Sequence, residues 1–250
     1  MKWSFVDTGL NTGKYNMDFD LQLVSQSRTN EAILRFYKWK PYCISLGANQ
    51  PFESVNLKNA NHAEIDVVKR PTGGRAILHA EELTYSVIHP VTSRISPKIL
   101  YKEINLALKN GLANYHPELQ KLNLENFQPH FPSFYKEAKS ILCFAVSAKS
   151  EINYKGKKLV GSAQRKIGNV VLQHGSILCG TFHKKLIEYL ELSFEERVDV
   201  TEEINSTTTE LETILGSKTD YEKLTESIKL GFEENFSISF ETNKKIESAN

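Results

Sequence analysis

Apolar and polar positions alternate in short runs along most of the chain and change to a helical period in its last third. Near the start, Met17, Leu21 and Val24 fall at helical spacing, with Asn16 available as an N-cap and acids close behind it. That pattern predicts an amphipathic helix packed on a sheet. Residues 33–39 and 43–47 read as two strands joined by a turn at Lys40-Pro41-Tyr42. The β-prone run 65–68 passes through Pro71 and the paired Gly73 and Gly74 into a second apolar run, Ala76-Ile77-Leu78, which predicts strand, glycine loop, strand. Residues 83–88 alternate as a strand and end at His89-Pro90. Ser96 and Pro97 supply an N-cap and a proline at the first helical position, and Leu100, Ile104 and Leu108 carry that helix to about Gly111.

Residues 115–139 contain Pro117, Pro129 and Pro132 without a sustained period and read as irregular connection. Short β runs follow at 141–144, 151–154, 158–163 and 170–178, with Lys155-Gly156-Lys157 as the clearest hairpin turn. From His183 the period becomes helical. Leu186, Leu190 and Phe194 predict one helix, Leu211, Ile214 and Leu215 a second apolar face, and Tyr221, Leu224, Ile228 and Phe232 another amphipathic helix. Phe236, Ile238 and Phe240 then alternate like an edge strand, and the polar tail from Thr242 is expected to fray. No repeat or Gly/Ser linker marks a second domain, so residues 1–250 are expected to form one.

Composition agrees with that expectation. With 250 residues, 40% hydrophobic and 24% charged, the chain can bury one large core, which excludes disorder throughout. Its 31 Lys+Arg against 30 Asp+Glu leave a formal charge of +1, too little to draw nucleic acid or an anionic membrane, so any basic feature is local. The N-terminus lacks a signal-length apolar run and no later stretch reaches membrane-spanning length, so a cytoplasmic protein is expected. Cys43, Cys143 and Cys179 are odd in number and lack C-x-x-C spacing, which suggests neither a disulfide framework nor a metal site.

Three stretches carry candidate chemistry. In residues 69–79, Gly73 and Gly74 let backbone amides approach a ligand, while Arg70 and Arg75 bracket the loop with cationic donors suited to something acidic or carbonyl-bearing. An ordinary hairpin with a solvated arginine on each side fits equally well, and neither nucleotide-loop pattern is present. In residues 155–165, strict alternation would put Lys158, Val160 and Ser162 on one face and Leu159, Gly161 and Ala163 on the other. One lysine could then point inward beside a small-residue patch, or all three lysines could be solvated. The third stretch surrounds Cys143, either a core residue or a thiol activated by a neighbouring ammonium. His174 reads as a base or as a hydrogen-bonded structural histidine, and Cys43 as buried filler.

Taken together, the chain resembles the lipoate protein ligase and octanoyltransferase superfamily, whose catalytic module is related to that of biotin protein ligases. The resemblance rests on Leu34-Arg35-Phe36-Tyr37, Ser45-Leu46-Gly47, Arg70-Pro71-Thr72-Gly73-Gly74-Arg75-Ala76-Ile77-Leu78-His79 and Glu82-Leu83-Thr84-Tyr85-Ser86. It continues through Lys158-Leu159-Val160-Gly161-Ser162-Ala163-Gln164 and Gln173-His174-Gly175-Ser176-Ile177-Leu178, covering roughly residues 10–215. The G-R-G-R-x-G loop of biotin ligases is absent. The G-R-N-D-type sequence of lipoate ligases is replaced by Ser140-Ile141-Leu142-Cys143-Phe144, similar to the cysteine-bearing octanoyltransferases. Two positions depart from the family: the usual His-Asp pair is His79-Ala80, and the acid that often follows Cys-Phe is Ala145.

The resemblance implies an α/β (α+β) domain with a mixed, largely antiparallel sheet flanked by helices, like those of class II aminoacyl-tRNA synthetases and biotin protein ligases. It implies transfer of an octanoyl group from acyl carrier protein to a lysine of a lipoyl-domain protein, such as the glycine cleavage H protein or a 2-oxoacid dehydrogenase E2, without a cofactor or metal. The implied catalytic pair is Cys143, as thioester-forming nucleophile, and Lys158. Arg70, Gly73, Gly74, Arg75, Ala76, His79, Val160, Gly161, Ser162, Ala163 and His174 are the implied substrate-binding residues, and Cys179 is left structural. A monomer is expected. The alternatives are an ATP-dependent lipoate ligase, here without the usual accessory domain after residue 215, an amidotransferase acting between lipoyl domains, and an acyl-binding module without turnover.

Overall fold

The computed structural model describes residues 1–91, 95–125 and 151–240. Among the described residues, ten strands fall into two sheets. Their ranges are β1 Lys2–Asn11, β2 Glu31–Trp39, β3 Cys43–Leu46, β4 Asp66–Lys69, β5 Ile77–His79, β6 Glu82–Pro90, β7 Asn123–Leu124, β8 Ile152–Tyr154, β9 Lys157–Ile167 and β10 Val170–Leu178. The larger sheet runs β1-β2-β6-β10-β9-β8-β7 and the smaller β4-β3-β5. Within the larger sheet only β1 and β2 pair parallel, whereas in the smaller one β3 lies parallel to β4 and antiparallel to β5. This is the mixed, largely antiparallel architecture that the resemblance implied. Strand β1 was not anticipated; as an edge strand only half buried, it carries a weak apolar signal.

The helices are α1 Gly13–Ser25, α2 Leu57–His62, α3 Pro97–Tyr115, α4 Phe194–Thr207, α5 Leu211–Leu215 and α6 Tyr221–Phe236. On one face of the larger sheet, Phe36, Tyr85, Val87 and Ile177 pack against Leu108 and Leu112 of α3 and Ile228 and Phe232 of α6. Gly111 is not the end of α3. A Cβ on Gly231 would lie 2.3 Å from Gly111 N, so two side-chain-free positions let α3 and α6 cross in close contact, and α3 continues for another turn. On the opposite face lie α1 and the smaller sheet.

Several other expectations shift in the folded chain. Helix α1 begins earlier, capped by the Thr12 side chain, and Asn16 lies buried inside it. Its inner stripe is Met17, Asp20 and Val24, with Leu21 outside. The helix expected through Leu186, Leu190 and Phe194 breaks in two. A 3-10 segment, Phe182–Tyr189, buries Leu186, and α4 restarts at a capping box formed by Ser193 and Glu196. Phe194 is left 78% exposed. Phe236 ends α6 instead of opening an edge strand, while Ile238 and Phe240 fold back on the main core. The hairpin at 155–157 forms as expected: Lys155 and Gly156 both take positive φ, the geometry of a two-residue turn.

Candidate active site

The glycine loop joins β4 to β5, but these strands pair with β3 between them and not with each other. Of the paired glycines, Gly74 takes a positive φ and Gly73 does not. The Gly74 carbonyl oxygen would lie 2.0 Å from a Cβ placed on Gly47, so the loop rests directly on the backbone that follows β3. Arg70 holds it there. Its guanidinium donates to Ser45 O at 2.8 Å, to Arg75 O at 2.7 Å and to Gly73 O at 3.0 Å. Arg70 is buried, and these bonds direct its charge at carbonyls of its own neighbourhood instead of at the mouth of a site.

Between this loop and the larger sheet lies a narrow, mainly apolar cavity with about 20 Å³ of space for water-sized spheres. Its floor is the sheet face opposite α3 and α6: Gly161, Ser162 and Ala163 on β9, His174, Gly175 and Ser176 on β10, Thr84 on β6, and Tyr37 and Trp39 on β2. Met17 of α1 and Ser45, Arg70, Ile77 and His79 complete the wall.

Buried polar chains stiffen that wall. His79 Nδ1 lies 2.8 Å from Glu82 Oε1, its Nε2 lies 2.7 Å from Ser45 Oγ, and its ring stacks on Trp39 with centroids 4.2 Å apart. Burial would raise the Glu82 carboxyl, but His79, Thr84 and Ser176 together hold it below the ordinary value. A second chain centres on Asp20. Arg35 Nη1 donates to Asp20 Oδ1 at 2.7 Å, and Arg35 also binds Asn16 and Thr8. Ser86 Oγ donates to Asp20 at 2.7 Å, and His174 Nδ1 stands 3.5 Å from its other oxygen. His174 Nε2 in turn meets Thr72 Oγ1 of the glycine loop at 2.6 Å. Burial would raise the Asp20 carboxyl, yet His174 and Arg35 hold it low, while burial pushes His174 down.

Lys158 reaches its place through an irregularity. The β8–β9 register shifts between Ile152 and Asn153, so β9 carries an extra residue opposite β8. Leu159 and Val160 consequently both enter the core beneath α3 and α6. The bulge thereby turns Lys158 onto the side of Gly161 and Ala163, out of phase with the strict alternation that grouped it with Val160 and Ser162. Lys158 is 1% exposed, with Nζ 2.8 Å from Glu151 Oε2. The other Glu151 oxygen accepts the Ser162 amide at 3.3 Å.

Residues 12–233 match the lipoyl protein ligase A/B catalytic domain family. The chain belongs to that family. It is 37% identical over 186 residues to octanoyltransferase LipM of Macrococcus caseolyticus (strain JCSC5402), covering 71% of this chain and 66% of the relative. It is 35% identical over 211 residues to octanoyltransferase LipM of Bacillus subtilis (strain 168), covering 78% of this chain and 72% of the relative. A crystal structure of lipoate-protein ligase A bound with ATP superposes with a TM-score of 0.77 at 18% identity, over 99% of this chain and 90% of that one. That likeness establishes the fold.

Of the lipoyl-ligase family positions named from the sequence, Arg70, His79, Gly161, Ser162, Ala163 and His174 surround one cavity. Gly73, Gly74 and Arg75 form the loop above it, Ala76 packs into the core behind the smaller sheet, and Val160 packs under the helices. Val160 was expected to bind substrate, but plain alternation along β9 turns it away from Gly161 and Ala163 and into the core under α3 and α6. His79, expected to bind substrate, is buried in the wall between Ser45 and Glu82. Cys143 lies outside the described residues. Burial raises the Cys43 thiol, and raises that of Cys179 to about 12, so neither suits a nucleophile. Sequence reasoning missed Asp20 and Glu151. The signal for Asp20 was available: an acid on the same helical stripe as Met17 and Val24. Glu151 carried none, because only the bulge and hairpin bring it to Lys158. Among the described residues, no helix is long and apolar enough to cross a membrane and no His/Cys/Asp/Glu cluster could hold a metal ion.

Proposed function

We propose that the protein transfers an octanoyl group from the thioester of acyl carrier protein to the ε-amine of a lysine on a lipoyl-domain protein, by way of an acyl-enzyme on Cys143. The observation that carries this reading is the small-residue strand at 161–163 beside a largely apolar cavity, with a buried lysine, Lys158, turned onto the same side by the β9 bulge. The LipM relatives, named octanoyltransferases, support it.

The chemistry needs no external energy, since a thioester is a higher-energy acyl donor than an amide. The Cys143 thiolate attacks the carrier thioester; the bond from its sulfur to the acyl carbon forms as the carrier C–S bond breaks, and the released carrier thiolate takes a proton from solvent. The neutral acceptor amine then attacks the acyl-cysteine; the C–N bond of the amide forms as the bond to the Cys143 sulfur breaks, and the proton lost by the nitrogen passes to solvent, which returns the Cys143 thiolate. Lys158, paired with Glu151, is the donor suited to the charge that develops on the acyl oxygen in both steps.

Incubation with octanoyl carrier protein in the absence of ATP tests this reading by intact mass. The expected result is one octanoyl adduct that hydroxylamine removes and that Cys143→Ala abolishes. No adduct, or one that persists in Cys143→Ala, overturns it, and octanoate-dependent pyrophosphate release from ATP would point to a ligase instead.

A further inference from the structure

The cavity floor crosses four neighbouring strands, β9, β10, β6 and β2, and its contents change along that path. At the β9 end it is built from Gly161, Ser162 and Ala163, and Glu151 links the Ser162 amide there to Lys158. At the β2 end it stops against Tyr37, Trp39 and Met17, which belong to one buried apolar cluster. Three inter-strand spacings of about 4.8 Å set the distance between these ends at roughly 14 Å.

That length can be compared with an acyl chain. Carbon–carbon bonds of about 1.5 Å meeting at ~111° advance an extended chain by roughly 1.25 Å each, so the seven bonds of an octanoyl group span about 9 Å. One non-bonded contact at the methyl end adds about 4 Å. In length, eight carbons therefore match the trough, whose narrow walls part to admit the chain, and ten, at roughly 15 Å with the same contact, overrun it.

The three wall residues differ in freedom. Trp39 is fixed by its indole N–H donating to Thr84 Oγ1 at 2.7 Å and by its stack on His79. Tyr37 is fixed by its hydroxyl on Asp20 at 3.2 Å and by the Arg35 guanidinium 3.9 Å above its ring. Met17 offers only an unbranched, polarisable side chain, which adapts to what it touches. On the assumption of the acyl-transfer reading above, with the reacting carbonyl at the β9 end, we infer that Met17 is the adjustable stop that sets the acyl-chain length this enzyme accepts. Tyr37 and Trp39 form the rigid backing behind it.

The test measures kcat/KM for hexanoyl, octanoyl, decanoyl and dodecanoyl carrier protein with the wild type, Met17→Ala and Met17→Phe, after thermal melts confirm that each variant is folded. Removing the thioether arm should move the optimum to ten carbons and raise the decanoyl-to-octanoyl ratio about tenfold, the worth of roughly two buried methylenes. Phenylalanine, bulkier and stiffer, should move the optimum to six carbons. The same series of free fatty acids, read as shifts in melting temperature, follows the length limit without any chemistry. If the wild type transfers no acyl group but the two variants move the best-stabilising fatty acid in opposite directions, the transferase reading falls and the length stop stands. An unchanged optimum in both folded variants, by transfer or by melting, overturns the inference.

Discussion

The two faces of the larger sheet are buried by different physics. Beneath α3 and α6, Phe36, Val87 and Ile177 meet Leu108, Ile228 and Phe232 in a core that needs little beyond matching volumes. Across the sheet, the same strands present Arg35, Ser86, His174 and Ser176, all buried, to α1 and the smaller sheet. These groups remain folded in because each finds a partner: Arg35 has Asp20, Asn16 and Thr8, and His174 has Thr72 and Asp20. The contrast teaches where the site belongs. An apolar face can be sealed completely, whereas a face of fixed polar groups keeps a cavity in shape without collapsing into it.

The most direct way to break the contrast is to leave one charge alone. Arg35→Ala should cost about 3–5 kcal/mol in urea unfolding, because the fully buried Asp20 loses its cation. On the other face, Ile228→Val should cost only about 0.5–1.5 kcal/mol, since a tight core loses a single methyl group. Equal losses from the two substitutions would mean that the faces do not differ in kind.

Acidification sharpens the comparison with a smaller effect. Burial lowers the folded-state pKa of His89, His174 and His183 below the ordinary 6.5. An unfolded chain then binds more protons than the folded one in the window just below 6.5, so this stability is fully present above that pH and declines as pH falls through it. Asp20, held below its ordinary 3.8, adds a loss of the same sign only in stronger acid. Melting temperature should therefore fall from about pH 6.5 downward, and His174→Gln should flatten that slope. An unaltered slope in that variant would show that the polar face does not contribute to it.

Much of the fold was legible in the residues. The Val170–Leu178 strand, the hairpin at Lys155 and Gly156, the Ser96 cap of α3 and the apolar stripe of α6 all express short-range rules. The site was legible as a neighbourhood: the glycine loop, residues 161–163 and His174 do converge on one cavity. Its internal wiring was not. Arg70 and Arg75 read equally well as ligand donors, and only the folded loop directs Arg70 at the carbonyls of Ser45, Gly73 and Arg75.

What the sequence determined alone was which stretches could be strands or helices, and which small and polar residues would gather around one cavity. Periodicity along one segment suffices for that, because pleat and helical pitch are properties of the local backbone. Tertiary structure decided which face each residue takes and which partner it meets. Lys158 shows the reason most plainly. Its orientation follows from one extra residue accommodated where β9 pairs with β8, a mismatch between two strands that neither strand carries by itself. The partnership of Asp20 with Arg35 and the resting of Gly74 on Gly47 are likewise products of packing between elements distant along the chain.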